Sequence, residues 1–151
     1  MRGRRILLVA CRTAAHPRVR DEILSRHAGG PCHATLLVPT VPPSSGWTWD
    51  EAHVRRDAHR RMTAAMAELR RSGVDVRGVV GDFRPMQAIR DEIDRFPYDE
   101  MIISTLPAGI SRWLRQDLPT RAARAFAIPV THIVAETRDD GSHRAWVDPA
   151  A

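Results

Sequence analysis

Ile6-Leu7-Leu8-Val9-Ala10, running into Cys11-Arg12-Thr13, is the stretch that decides the fold. The run is wholly apolar and too short for a helix buried on all sides. A strand covered on both faces reads this way, because parallel sheets carry helices above and below. Ala34-Thr35-Leu36-Leu37-Val38 and Met101-Ile102-Ile103 repeat the pattern further along. Residues 74–80 alternate Val74, Val76, Gly78 and Val80 with polar neighbours, which predicts a third strand with one more exposed side. Residues 129–135 make a last strand.

Helical patterns fill the gaps. Pro17 suits a first helical turn, and Val19, Ile23 and His27 then share a face that stops at Gly29-Gly30. Residues 39–47 are rich in Pro, Ser and Gly and read as an ordered loop. Thr48 and Glu51 fit a capping box for a helix carrying Val54, Ala58, Met62, Ala65 and Leu69, ended by Gly73. Asp82 is the expected cap of a helix with Met86, Ile89, Ile93 and Phe96. Pro119 cannot sit in a helix interior, so a turn over 110–114 and a main helix from Leu118 are expected.

Alternating strands and helices give an α/β fold: a single five-stranded parallel sheet, order 3-2-1-4-5, helices on both faces. Ligands of such sheets bind outside the carboxyl ends of the strands where the order reverses, here between strands one and four. That rule alone nominates Cys11, Arg12 and Thr13, the loop from Ser104 and Thr105 to Gly109, and Val38, Pro39 and Thr40 beside them. Hydroxyls of Thr13, Ser104, Thr105 and Ser111, with the guanidinium groups of Arg12, Arg112 and Arg115, would suit an anionic ligand.

With 151 residues, 43% hydrophobic and 27% charged, the chain has material for one domain, with a core over about 5–135 and a polar tail over 136–151. The net charge of +5 invites a nucleic-acid reading. All 23 basic residues are Arg, however, and they are interleaved with Asp and Glu rather than clustered. No nucleic-acid surface is therefore expected. Two cysteines, Cys11 and Cys32, fall at opposite ends of neighbouring strands and should not pair. The apolar run after Met1 is too short for a signal peptide, no stretch approaches a membrane span, and the reading places the chain in the cytoplasm.

Four stretches in this order and spacing resemble the universal stress proteins: Ile6-Leu7-Leu8-Val9-Ala10, Val80-Gly81-Asp82, Asp99-Glu100-Met101-Ile102-Ile103 and Ala127-Ile128-Pro129-Val130. The resemblance spans residues 5–135. It implies ATP or another adenine nucleotide held by an Asp after the first strand, a Gly-x-x-Gly loop after the fourth, and a later Gly followed by Ser or Thr. It also implies a homodimer paired through the fifth strand, Val130 to Val134. Here Cys11 stands where the Asp is expected, Ser104-Thr105-Leu106-Pro107-Ala108-Gly109 keeps one glycine of the loop, and Gln116-Asp117 replaces the later pair.

Other constellations carry less. His53 and Asp57 have metal-ligand spacing but lack a third partner, and read as a solvated helix face. Cys11 has no His placed by sequence to activate it. Met62 and Met66 read as core, Trp47 and Trp49 as anchors of the helix start, and Trp113 as either a ligand contact or packing under the loop. A receiver domain would need acidic residues where Cys11 and Arg12 stand. With no nucleophile–base pair, the expected function is a ligand-binding or signalling module rather than an enzyme. The alternative is a homodimeric interaction domain whose ligand site has degenerated and binds no nucleotide.

Overall fold

The computed structural model describes residues 2–42 and 50–136. Its strands are β1 (Arg4–Val9), β2 (Cys32–Pro39), β3 (Asp75–Gly81), β4 (Glu100–Thr105) and β5 (Val130–Val134). Its helices are α1 (Pro17–Ala28), α2 (Glu51–Arg71), α3 (Pro85–Arg95), α4 (Arg112–Arg115) and α5 (Leu118–Ala125). The five strands form one parallel sheet in the order β3-β2-β1-β4-β5.

Strand alternation sorts the apolar side chains into two layers. Ile6, Leu8, Leu36 and Val38 face α1 and α2, meeting Val19, Ile23, Met62 and Leu69. Leu7, Val9, Leu37, Met101 and Ile103 face α3 and α5, meeting Ile89, Leu118 and Ala122. Right-handed crossovers require this split, since the chain runs one way from β1 to β3 and the other way from β4 to β5. Ile6 to Val9 are fully buried, which explains why no polar residue interrupts the run.

Several boundaries move from their expected places. α2 is capped by Asp50, whose carboxylate accepts from Ala52 N at 3.0 Å, so the Thr48–Glu51 capping box is corrected; Thr48, Trp47 and Trp49 lie outside the described residues, as does the tail with Trp146. The N-cap of α3 is Arg84. Asp82 instead closes the turn before it, accepting from Arg84 N at 2.8 Å. α1 takes an unanticipated cap: His16 Nδ1 accepts from Arg18 N at 3.1 Å, while Pro17 fills the first helical position. Gly73 ends α2 at φ 87, a conformation other residues adopt only with strain. β3 pairs with β2 in unbroken register through Gly78. Met62 and Met66 of α2 occupy the space a side chain at Gly78 would need.

Candidate functional site

β1 and β4 lie side by side, Val9 opposite Ile103, and the chain leaves them in opposite directions. The parting loops enclose a cavity of about 450 Å³. Of the residues expected from topology, Cys11, Arg12, Thr13, Thr40, Ser104, Thr105 and Ser111 border it. Val38 and Pro39 do not: Val38 is fully buried in the core facing α1 and α2, and Pro39 is the last residue of β2. Gly109 lies in the following turn at φ 95. Arg112 and Arg115 bound α4.

Three of the four hydroxyls are engaged. Thr13 Oγ1 donates to the main-chain carbonyl of Ser104 at 3.3 Å. Thr105 Oγ1 and His132 Nε2 are 2.8 Å apart, and partial desolvation lowers the His132 imidazole from its usual range although the residue stays exposed at the edge strand. Ser111 Oγ accepts from Leu114 N at 3.2 Å, capping α4. Ser104 is different. It is 1% exposed, and its Oγ has no hydrogen-bond partner among the described residues.

The charge of the cavity wall is one-sided. Arg12, Arg84 and Arg121 border it, and among the described residues no carboxylate does. Arg84 also pairs with Asp82 at 3.0 Å, and these hydrogen bonds hold the Asp82 carboxyl below the usual carboxylate range. Arg61 of α2 reaches Cys11, with Nη1 3.5 Å from Sγ. Among the described residues no cluster of three potential metal ligands occurs. Asp57, considered with His53, pairs instead with Arg60 at 2.6 Å and Arg61 at 3.3 Å.

Two amides of the loop after β4 are spent within the loop. Ile110 N and Ser111 N both donate to Pro107 O, at 3.2 and 3.0 Å, and Pro107 has no N–H. A phosphate nest needs such amides turned toward the anion.

Sequence reasoning missed the segment from Phe83 to Gln87, which leads from β3 into α3 and forms the far wall. It also missed Gln116 and Arg121. The carboxyl end of β3 opens on the same rim as β2, so the topology rule could have been carried one strand further. Trp113, weighed as a ligand contact or as packing under the loop, borders the cavity and packs on both apolar layers.

No protein-family model and no curated protein matches the chain. Solved structures do. The universal stress protein from Archaeoglobus fulgidus superposes with a TM-score of 0.56 at 16% identity, over 86% of this chain and 93% of that one. The fold is that of the universal stress proteins. A universal stress protein family protein from Arabidopsis thaliana with AMP bound superposes with a TM-score of 0.58 at 13% identity, over 96% and 99%. A universal stress protein in complex with cAMP gives 0.53 at 14%, over 87% and 97%.

At these identities the likeness to universal stress proteins is one of fold, and the site is this chain's own. Where the resemblance expects the later glycine pair stands Gln116-Asp117, and Asp117 takes a left-handed φ of 54. Asp tolerates that conformation better than most residues, and here it leads directly into α5.

Proposed function

We propose that the chain is a universal-stress-protein-like ligand-binding or signalling module, taking a small anionic ligand between the carboxyl ends of β1 and β4. The observation that carries this reading is Ser104 Oγ, buried beside the cavity with no partner among the described residues. A buried hydroxyl left unsatisfied costs about 1–3 kcal/mol, and a ligand oxygen would recover that. Three arginines and no carboxylate on the wall favour an anion. Met86, Leu106 and Trp113 offer an apolar side for a ring. A volume of about 450 Å³ falls in the usual range for small-molecule sites.

The class we favour is an adenine nucleotide with a short phosphate group, since proteins of this fold have been solved with AMP and cAMP. The Ile110 and Ser111 amides spent on Pro107 O, and the missing N–H of Pro107, argue against ATP held through a phosphate nest. We assign no catalytic residue. We also read residues 1–151 as one domain of a cytoplasmic protein acting in stress responses; among the described residues no helix is long and apolar enough to cross a membrane.

Native mass spectrometry tests the reading, on the protein as purified, then with AMP, then with ATP and magnesium. One AMP per chain supports it. A chain that stays empty under saturating AMP and ATP overturns it.

That second outcome would favour a homodimeric interaction domain with a degenerate site. Cys11 in place of a ribose-binding Asp motivates this alternative, together with the position of β5 at the sheet edge. Edge strands pair readily with a second chain. Ala135 N donates to Thr105 O in β4, so the amide of Val134 faces the free edge. Sedimentation of a dimer that a Val134→Pro change leaves intact would sink the β5 interface.

A further inference from the structure

The opposite edge of the sheet offers a second surface. Thr40 N donates to Gly81 O at 3.1 Å, which turns the backbone groups of Gly81 toward β2. Successive residues of a strand turn theirs to opposite sides, so Val80, Gly78 and Val76 direct theirs outward, at the free edge of β3. Arg70 Nη2 occupies Val76 O at 3.2 Å. Gly78 and Val80 have no strand beside them among the described residues.

Beside them α2 walls a groove of about 850 Å³, bordered on the strand side by Val80. His53, Arg55, Arg56, His59 and Arg60 supply the wall, and among the described residues no carboxylate borders it. Ala64 and Ala67 keep the groove open because their side chains are small. Neutralisation is partial: Asp57 pairs with Arg60 at 2.6 Å, Asp50 approaches Arg56 only to 4.0 Å, and Arg55 has no ion pair among the described residues.

We propose that the β3 edge and the basic face of α2 form one docking site for an extended, acidic segment of a partner protein. The segment adds a strand beside Gly78 and Val80 through main-chain hydrogen bonds, a common way for sheet edges to capture peptides. Its alternate side chains lie on one face, where carboxylates meet the arginines of α2 in charge-assisted hydrogen bonds. A second copy of this chain fits badly, because pairing two β3 edges would bring two sets of arginines together. Nucleic acid would satisfy the charge, but among the described residues no aromatic side chain borders the groove for a base to stack on.

Fluorescence anisotropy of a labelled peptide alternating glutamate and valine, titrated with the full chain at low and physiological salt, tests this. Saturable binding is expected, weakening with salt and falling about tenfold, or 1.4 kcal/mol, in the double variant Arg56→Glu with Arg60→Glu. Val80→Pro should weaken it comparably, since it removes an outward donor without touching the ladder to β2. Circular dichroism verifies that both variants fold. N-methylation of alternate peptide amides should also abolish binding. Unchanged affinity for the methylated peptide or for Val80→Pro overturns the proposal, as does tighter binding of an oligothymidylate of equal charge. Self-association that Val80→Pro abolishes would overturn it in favour of a second copy.

Discussion

Thr13 Oγ1 donates to the carbonyl of Ser104 at 3.3 Å, so the loop after β1 is tied to β4 at the point where the sheet reverses its order. The same residue, Ser104, thus has its main chain held and its side-chain hydroxyl unclaimed. Stability and binding should therefore move in opposite directions at this position. Ser104→Ala is expected to raise the unfolding free energy of the ligand-free chain by about 1 kcal/mol, by removing an unsatisfied buried polar group. It should weaken AMP binding about tenfold. Urea denaturation and titration calorimetry on the same preparation separate the two; a variant that loses stability would show the hydroxyl to be already satisfied.

Close packing at β3 gives a second expectation. A Cβ at Gly81 would lie 2.8 Å from the Ala88 Cβ of α3 and 2.9 Å from Leu37 Cδ1. Gly81→Ala should cost about 1–3 kcal/mol by overpacking, and Ala88→Gly in the same chain should return part of it. Gly78→Ala should cost less, since the atoms in its way are the ends of the flexible Met62 and Met66 side chains. Denaturation midpoints that rank the two glycines in reverse would contradict this packing.

The pH dependence follows from His132. Partial desolvation holds its folded-state pKa below the ordinary value, so the unfolded chain binds the extra proton first. Because the residue stays exposed, the effect is small. The stability this group contributes is present above its unfolded pKa, about 6.5, and is lost as pH falls through the lower folded value. Between neutral and mildly acidic pH the wild type should lose more stability than His132→Asn. Parallel curves for the two proteins would show that His132 does not drive the loss.

Glu100 is the buried charge most exposed to disruption. Its side chain is 6% accessible and lies 2.8 Å from Arg26 Nε and 3.3 Å from Arg4 Nε. Arg26→Met should cost about 1–3 kcal/mol, because it removes the closer partner of a nearly buried carboxylate and leaves it to the half-exposed Arg4. Adding Glu100→Met should recover most of that, since a well-packed apolar pair can replace a buried ionic one. A double variant as unstable as the single one would mean that the methionines cannot pack there.

The apolar runs in β1, β2 and β4 were legible because burial on both faces leaves no room for a polar residue. Strand order followed from the handedness of crossovers, and from it the rim carrying Cys11, Thr13 and Ser104. Local chemistry was less legible. Thr48 reads as the cap of α2 from its spacing to Glu51, but the cap is Asp50, a residue type that caps at least as well. Val38 was placed at the site because it ends an apolar run, but β2 continues to Pro39 and Thr40 still bonds to Gly81. Phe83 to Gln87 escaped notice because no periodicity reveals which loop folds over a cavity. The self-bonding of the loop after β4 depends on backbone angles that one glycine and one proline leave undetermined.

Trp113 packs against the apolar layers on both faces of the sheet and borders the cavity between them. It is thereby a built-in optical probe. In a chain with Phe at Trp47, Trp49 and Trp146, the emission of this single indole would register a ligand arriving at the rim. On heating, it would also register whichever side of the sheet loosens first.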